Sequence, residues 1–510
     1  MSSTTRQGKL DRLTRRISTE HIWVLAVMVG IFVFLNTHPI RPHDFWWHMA
    51  AGRHVATTGQ IPTVATETFT SYGTPYPAYS VYWLAETAMY LIYSLGGPAL
   101  TVFIHALVVG AAYALTLWLC YRRTRNWRVA ALAAFFAAAM GVNDWNVRPQ
   151  AGVFWLLPLF LLVQDIYEEL GKDRLLAVFP LGMVVWANCH GTFPIGLAAI
   201  ALWLVEHVWR MLTQAARLTG TEVEKLSGRA AVALGAATLA CLANPRGIGI
   251  IAYLRAMTTN PIVQNLVPEW MPPAFGSFSG TVFLIGLMMS ATILAVSPRR
   301  PNARQLLSFL LFGFLALRTS RGITWFGLAL APTLAEHSSL ILGQLGLAAS
   351  GYRPHTRLTR IINTTLVSVI VLSGLLTLPW FKEALPMPAL KVGLISHETP
   401  VAATEYLLSS SLPGKLYHDL GFGSYLVWAA QPAYPVFVDP RLELYSEELW
   451  RDYVSIATAG PRWEDILEDY NVGTLMLSPD RQSRLLAAAE NSGNWIQVYE
   501  DKVSTILSHK

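Results

Sequence analysis

Long apolar runs separated by short polar segments make up most of the first 380 residues. The runs at 22–36, 100–120 and 364–378 are long enough, or nearly so, to cross the hydrocarbon core of a bilayer as an α-helix, which takes about 20 residues. The sequence therefore predicts a polytopic α-helical membrane protein. Extending the pattern along the chain predicts about 11 spans, near residues 21–37, 99–120, 128–142, 151–166, 175–190, 193–211, 228–244, 279–297, 303–318, 323–342 and 360–379.

The connection between the first two predicted spans, residues 38–97, is long and amphipathic. Residues 44–58 have the pattern of a short helix, and 61–78 is rich in turn residues. The stretch 81–95 carries Trp, Tyr and Glu86 among its apolar residues, which is typical of a helix that lies in the membrane interface. We therefore predict that 81–95 does not cross the membrane.

Basic residues then fall mainly on one side of the membrane. Short loops on the cytoplasmic side are enriched in Lys and Arg. We therefore predict a multi-pass protein of the inner or plasma membrane, with a cytoplasmic amino-terminal segment 1–20 and an extracytoplasmic carboxyl terminus. The basic residues predicted to lie inside are those of segment 1–20 and Arg122, Arg123, Arg125, Arg128, Lys172, Arg174, Arg210, Arg217, Lys225, Arg229, Arg299, Arg300, Arg304, Arg353, Arg357 and Arg360.

Composition agrees with a membrane protein and excludes a disulfide framework. Hydrophobic residues make up 53% of the chain and charged residues 14%, where a soluble domain has about 25% charged residues. The three cysteines, Cys120, Cys189 and Cys241, lie in or beside apolar runs and lack metal-ligand spacing. We expect them to be packing residues.

After residue 380 the pattern changes from long apolar runs to short alternating ones. Alternation of strand-like and helical stretches predicts a small soluble α/β domain over 385–510, which we place outside the membrane. The predicted strands are 415–418, 435–439, 472–478, 495–499 and 503–508, and the predicted helices are 423–430, 446–458, 463–470 and 481–491.

Polar residues that could carry chemistry gather at the outer ends of the predicted spans. Ionisable residues at such positions are costly unless solvated or paired, so they mark sites. A carboxylate can act as a general base on an acceptor, and arginine makes bidentate contacts to phosphate. The candidate catalytic residues are Asp44 and Asp144, and the candidate substrate-binding residues are His43, His48, Arg148, His190, Arg246, Glu269, Arg318 and Arg321.

Structural interpretations stand beside these functional ones. Asp44 could cap the helix that follows it, and Asp144 could be a solvated loop residue or pair with Arg148. Trp46 and Trp47 are more typical of an interfacial aromatic belt than of a sugar-stacking platform. His190 could be an interfacial histidine, and Glu269 could be an interface anchor. Arg148 and Arg246 could stabilise the carboxyl ends of helices by their charge.

The order of these features resembles the GT-C superfamily of polyprenyl-phosphate-sugar-dependent membrane glycosyltransferases. One span precedes a long outer loop that opens with an Asp, and interfacial helices follow. The segment that matches best is 44–53 (DFWWHMAAGR), followed by 59–62 (GQIP). It is similar to bacterial membrane proteins grouped with the mannosyltransferase-like branch. Further matching motifs are 147–149 (VRP), 186–191 (WANCHG), 244–247 (NPRG) and 438–441 (VDPR).

The resemblance implies a GT-C-like transmembrane domain over 21–380 and inverting sugar transfer at the outer face. Asp44 would act as the general base, Asp144 would correspond to the second acidic loop residue, and arginines would hold the lipid phosphate. Many relatives have paired acids in the first loop, whereas here His43 precedes Asp44. Where an acid is expected before Trp83, this chain has Tyr82.

The implied partners are a polyprenyl-phosphate sugar donor, an unknown glycan, lipid or protein acceptor, and membrane lipid, with no nucleic acid. Asp44, His48, Asp144 and Glu269 could assemble a divalent-cation site, but no short ligand spacing requires one, and we expect no essential metal. The alternative function is a non-catalytic membrane protein that retains the GT-C fold, either a polyprenyl-lipid transporter or an envelope-assembly factor.

Overall fold

A computed structural model describes residues 19–214, 220–347, 356–386, 388, 391 and 393–510 of the chain. Residues 1–18 of the predicted basic amino-terminal segment lie outside the described residues, as do Arg217 and Arg353. The α-helices of the membrane part are Thr19–Asn36, Phe45–Thr58, Tyr79–Thr124, Trp127–Gly141, Leu156–Leu170, Val178–Cys189, Pro194–Gln214, Gly220–Ala240, Gly249–Thr259, Pro261–Leu266, Phe278–Val296, Ala303–Arg318, Gly322–Gln344 and Arg357–Leu376.

Among the described residues, six helical segments are long and apolar enough to cross a membrane, which indicates an integral membrane protein. They match six of the predicted spans and are Thr19–Asn36, Tyr79–Thr124, Ala151–Leu170, Pro194–Thr213, Phe278–Val296 and Arg357–Leu376. The other five predicted spans coincide with helices that are shorter or less apolar. The count of 11 spans therefore stays a prediction.

The helices pack through small residues and turn large apolar side chains outward. A Cβ on Gly327 would lie 3.1 Å from the carbonyl oxygen of Ala137, so the helices Trp127–Gly141 and Gly322–Gln344 approach closely, as is common in membranes. On Arg357–Leu376 most of the apolar surface is exposed, including Leu372. Such a surface is suited to lipid.

The long helix Tyr79–Thr124 contains the predicted interfacial segment and the following span. Its backbone leaves helical geometry at Gly96 and Gly97, where Gly97 has φ +61°, immediately before Pro98. Glycine tolerates positive φ, and proline cannot continue the hydrogen-bond ladder. The sequence Gly-Gly-Pro therefore divides the helix into two segments at the predicted point.

The carboxyl-terminal part is a small α/β domain, as predicted. Its strands are β1 (Lys415–His418), β2 (Val472–Leu477), β3 (Trp495–Glu500) and β4 (Thr505–His509), and its helices are Val401–Ser409, Leu420–Ala429, Glu447–Ala457, Trp463–Asp469 and Ser483–Ser492. The four strands form one sheet in the order β1-β2-β4-β3, in which β1 and β2 are parallel and the other pairs are antiparallel.

The predicted strand 435–439 is wrong. This segment makes an isolated bridge between Val436 and Thr68 and does not join the sheet. The Val436 amide donates to the Glu67 carbonyl at 2.9 Å, and the Phe69 amide donates to the Val436 carbonyl at 3.2 Å. Its backbone groups are thus satisfied by the first outer loop, and this pairing joins the loop to the α/β domain.

The three cysteines are buried and free, in agreement with the prediction that they are packing residues.

Candidate functional site

A cavity of about 970 Å³ lies where the helical bundle, the first outer loop and the carboxyl-terminal domain meet. The loop contributes residues 38–48, and the turn after the helix Trp127–Gly141 contributes 145–150. The carboxyl-terminal domain supplies a wall that includes Asp419, Arg441 and Arg481. A site at this position can contact both a membrane-embedded molecule and a soluble one.

The guanidinium of Arg148 organises the charges of this cavity. Its Nη1 donates to both carboxylate oxygens of Glu269, at 2.6 and 2.8 Å. The same atom lies 3.6 Å from Asp44 Oδ2, and Nη2 lies 3.3 Å from Asp144 Oδ1. The Arg148 side chain is only 6% exposed. A buried charge requires partners, and here three carboxylates from distant parts of the chain supply them.

Asp44 is the most accessible of these three carboxylates. It precedes the helix Phe45–Thr58, but its side chain makes no capping hydrogen bond to that helix. The side chain is 32% exposed, and its carboxylate lies beside Arg148 at the cavity wall. The interpretation of Asp44 as a helix cap is therefore wrong, because its oxygens face the charge cluster.

Asp144 and Glu269 are held by hydrogen bonds. The Thr324 hydroxyl donates to Asp144 at 2.5 Å, and Arg321 Nε donates to Glu269 at 2.7 Å. Burial raises the pKa of Asp144 to about 6, although the Arg148 charge acts against this. Burial also acts to raise the pKa of Glu269, but Arg148 and Arg321 outweigh it and lower that pKa to about 2.

A second polar pair lies deeper, on the same side of the cavity. His48 Nδ1 is 2.7 Å from Glu86 Oε1, and both side chains are buried. Burial lowers the pKa of His48 well below its ordinary range, and the nearby positive charge of Arg148 adds to this. The imidazole is therefore neutral, and its contact with Glu86 is a hydrogen bond.

Tyr82 occupies the position where the resemblance predicts an acid. Its hydroxyl pairs with that of Tyr253 at 2.9 Å, and its ring lies against His48 and His190. Tyr82 and His190 line the cavity, while Glu86 follows one helical turn after Tyr82 and does not line it.

The carboxyl-terminal domain is attached to this site by Arg441. Its guanidinium is fully buried, pairs with Asp439 at 2.6 Å, lies 3.3 Å from Glu67 and donates to the Tyr79 hydroxyl. Asp439 and Arg441 thus form a buried ion pair, and Arg441 also reaches the cavity wall.

The belt interpretation of Trp46 and Trp47 is wrong. Both are buried, and the helix Leu420–Ala429 covers the helix that carries them. Trp46 packs edge-on against Tyr425, and the Trp47 amide donates to the Ser424 hydroxyl at 3.0 Å. These residues contact the carboxyl-terminal domain, so they cannot form an exposed aromatic belt.

The structure brings most of the candidate residues to one cavity. His43, Asp44, His48, Arg148, His190, Glu269 and Arg321 line it. Asp144 lies behind Arg148, whereas Arg246 and Arg318 are not among the lining residues. Four further residues line the cavity but were not among the candidate site residues, namely Arg41, Tyr82, Arg441 and Glu443. Glu86, which contacts His48 without lining the cavity, was not a candidate either. A charged residue within an otherwise apolar helix is the sequence signal that could have identified it.

The carboxylates do not fit a divalent cation in this arrangement. Among the residues that the structure describes, no group of three His, Cys, Asp or Glu side chains could hold a metal ion. The space between Asp44, Asp144 and Glu269 is taken by the guanidinium of Arg148. The Arg148 guanidinium thus occupies the position that a cation bound by these three carboxylates would need.

Comparison with known proteins identifies a fold. No protein-family model matches the chain, and no curated protein matches its sequence. Three solved structures of the oligosaccharyltransferase of the archaeon Archaeoglobus fulgidus have a similar fold, with TM-scores of 0.52, 0.54 and 0.52 and 13% sequence identity. Each match covers 90% of this chain and 70%, 69% and 68% of the archaeal chain, respectively.

The first archaeal structure is the apo form. The second is a complex with an inhibitory peptide and a dolichol-phosphate, and the third is a complex with Zn and sulfate. The likeness confirms the predicted architecture of a helical membrane part followed by a carboxyl-terminal domain. At this level of identity it shows the fold alone, and the mannosyltransferase-like subfamily stays a prediction.

Proposed function

We propose that this chain is an integral membrane glycosyltransferase that moves a sugar or glycan from a polyprenyl-phosphate donor to an acceptor in the cavity around Arg148. The observation that carries the proposal is the exposed carboxylate of Asp44 beside a buried guanidinium. The fold shared with a glycan-transferring membrane enzyme supports the same class of reaction.

Asp44 is the proposed general base. Glu269 is occupied by Arg148 and Arg321, and Asp144 by Arg148 and Thr324. Among the carboxylates that the structure describes around Arg148, only Asp44 has no hydrogen bond to its oxygens. It takes the proton of the acceptor while the acceptor atom attacks the anomeric carbon, and the bond to the donor phosphate breaks with its electron pair on the phosphate. This displacement inverts the anomeric centre.

Arg148 positions the base and does not contact the donor in this proposal. A guanidinium 3.6 Å from Asp44 Oδ2 attracts that carboxylate and limits its rotation. Because the same guanidinium binds Asp144 and Glu269, its own orientation is fixed before substrate arrives. Such preorganisation is a general source of catalysis.

Arg41 is the proposed contact for the donor phosphate. Of the arginines that line the described cavity, Arg148, Arg321, Arg441 and Arg481 each pair with a carboxylate. Arg41 is exposed and has no ion pair within the described part of the chain. Its guanidinium is therefore free to bind phosphate oxygens. It lies in the loop directly after the first span, where a lipid-linked phosphate would arrive.

The acceptor would bind where the carboxyl-terminal wall meets the loop 61–78, which together present aromatic and charged groups. Tyr76 and Glu443 face the cavity and are hydrogen-bonded to each other at 2.6 Å. One archaeal structure of the same fold holds an inhibitory peptide, so a protein acceptor is the first class to test. The distribution of basic residues predicts that the carboxyl-terminal domain lies on the extracytoplasmic side of the membrane, where such an acceptor would be reached.

The test is sugar transfer by the full-length protein reconstituted in vesicles. A panel of radiolabelled polyprenyl-phosphate and polyprenyl-diphosphate sugars serves as donor, with host membrane extract and peptides as acceptors. Asp44→Asn keeps the shape of the side chain and removes the base. We expect its transfer rate to fall at least ~100-fold, the usual contribution of a general base. Asp480→Asn, an exposed substitution outside the cavity, is the matched control and should retain full activity.

Two results would contradict the proposal. Equal transfer by wild type and Asp44→Asn would remove Asp44 from the chemistry. No transfer from any donor, together with saturable binding of the polyprenyl phosphate, would favour the non-catalytic protein that retains the fold.

A further inference from the structure

A second polar cavity, of about 530 Å³, lies at the opposite end of the helical bundle from the first. The helix Ala303–Arg318 relates the two: Arg304 in its first turn lines the second cavity, and Arg321 just beyond its end lines the first. Its 16 residues separate them by about 24 Å. The second cavity is therefore a separate site.

Arginine is the dominant residue of this cavity. The six cationic residues that line it come from three parts of the chain that are distant in sequence, and all were predicted to lie on the cytoplasmic side. They are Arg122, Arg123, Arg210, Arg299, Arg300 and Arg304. The side chains of Arg123 and Arg304 are only 14% and 13% exposed. The folded bundle has thus gathered and partly buried these charges.

Carboxylates compensate most, but not all, of this charge. Arg123 makes a bidentate contact with Asp165, at 2.7 and 2.9 Å, and Arg304 lies 3.6 Å from the same group. The five remaining pairs or contacts are Arg122 with Glu169, Arg123 with Glu336, Arg210 with Glu206, Arg299 with Glu336 and Arg304 with Glu168. Five carboxylates therefore face six arginines around this cavity.

Two donors are left without a partner. Arg300 is exposed at the cavity and has no carboxylate within ion-pairing distance among the described residues. Arg122 uses one Nη for Glu169, but its Nε is buried and has no hydrogen-bond partner within the described part of the chain. A buried donor without a partner is costly, and Arg300, which lines the same cavity, carries a charge that no described carboxylate offsets. An anion bound in the cavity would compensate this positive charge.

We propose that this second cavity binds a phosphate-bearing anion through Arg122 and Arg300. Topology alone requires positive charge on this side and would be met equally by lysine on the surface. The lining cations here are all arginine, whose planar donors suit bidentate contacts to phosphate. The phosphate belongs either to a lipid headgroup or to a soluble molecule, and the cavity has room for more than one phosphate group.

The test measures binding to the full-length protein in nanodiscs at physiological salt. In one arm, sodium pyrophosphate is titrated into nanodiscs of phosphatidylcholine, and affinity is read by thermophoresis and by the shift in melting temperature. In the other arm, phosphatidic acid replaces part of the phosphatidylcholine, and native mass spectrometry counts the retained lipid. Saturation in the first arm identifies a soluble source, and retention only in the second identifies a lipid source.

The test variant is Arg122→Gln combined with Arg300→Gln. The control is Arg174→Gln combined with Arg229→Gln, which removes the same charge: Arg174 is exposed, and Arg229 forms an exposed pair with Asp173 outside the cavity. We expect the test variant to lose about tenfold or more in affinity, and the control to bind like wild type.

Equal weakening by both variants would show a non-specific charge effect and overturn the proposal, as would an absence of binding in both arms. Both arms can be run without any sugar donor. Failure here is therefore distinguishable from failure of the proposed transferase activity, which depends on the other end of the bundle.

Discussion

Asp144→Asn offers a quantitative test of the charge cluster around Arg148. The substitution keeps the shape of the side chain, including an oxygen for the Thr324 hydroxyl, but removes the ionisable group. In the folded protein burial raises the pKa of Asp144 from 3.8 to about 6. Folding therefore favours the protonated form, and the ionised form is tolerated because Arg148 lies 3.3 Å away.

The sign and size of the pH dependence follow from this shift. Between pH 3.8 and about 6 the folded state holds a proton that the unfolded state has lost, so wild-type stability falls as pH rises through this window. The full shift corresponds to about 3 kcal/mol. Asp144→Asn lacks this dependence. Relative to the variant, the wild type should therefore gain up to about 3 kcal/mol as pH falls from about 7 to 4.

The assay is thermal unfolding of the purified protein in detergent across this pH range. For a chain of this length, about 3 kcal/mol corresponds to roughly 3 °C in melting temperature, from the average unfolding entropy per residue. The quantity of interest is the difference between wild type and Asp144→Asn at each pH, because other titrating groups cancel. Asp480→Asn is the control for the loss of an exposed carboxylate. The difference in melting temperature between wild type and this variant should not change with pH.

Two outcomes would refute the reasoning. A difference that does not change between pH 4 and 7 would mean that Asp144 has an ordinary pKa and is not buried against Arg148. A difference of opposite sign, with wild type gaining relative stability as pH rises, would mean that the ion pair with Arg148 outweighs burial.

Three further predictions concern the same framework. Arg148→Met should cost about 3–5 kcal/mol of stability, because it leaves three carboxylates without their shared cation. Arg148→Lys should recover part of this stability but not the transfer rate, since an ammonium cannot bridge three groups. Melting temperatures and transfer assays measure both effects, and a stable, active Arg148→Met protein would contradict the role assigned to the guanidinium. Gly52→Ala should destabilise by about 1–3 kcal/mol, because a Cβ there would lie 2.1 Å from the Glu86 carbonyl oxygen, whereas Gly30→Ala meets open space and should be neutral or better in the same melt. Transfer should survive exhaustive chelation with EDTA, because Arg148 already neutralises the carboxylates, and a loss restored by Mn²⁺ or Mg²⁺ would show that a metal is required.

The membrane part of the fold was the easiest to predict from the sequence. In hydrocarbon a backbone must satisfy its hydrogen bonds within the segment, so a long apolar run has few alternatives to a helix. The turn signals were also informative: Gly96-Gly97-Pro98 breaks the long helix where predicted, and Gly59 ends the helix Phe45–Thr58 with φ +71°.

Pairing between distant segments was harder to predict. Residues 435–439 have the composition of a strand, but their backbone bonds to Glu67 and Phe69 instead of to the sheet. Trp46 and Trp47 have the composition of a membrane belt, but the helix Leu420–Ala429 covers them. In each case the local pattern identified an apolar or extended segment, while the partner lay more than 300 residues away.

The site shows the same limit more clearly. The pair of Asp144 and Arg148, which lie only four residues apart, was one of two structural interpretations of Asp144 that the sequence offered. Asp44 and Glu269 are each separated from Arg148 by more than 100 residues, so no periodicity links them. What the sequence does impose is a requirement: a guanidinium that folding buries must find carboxylates, because leaving a buried charge unpaired costs about 3–5 kcal/mol. Charged residues at helix ends therefore identify which groups must be compensated, and the fold determines which partners compensate them. Here compensation leaves Asp44 as the carboxylate without a hydrogen bond to its oxygens, whereas Glu269 and Asp144 are both hydrogen-bonded. The proposed chemistry therefore rests on Asp44.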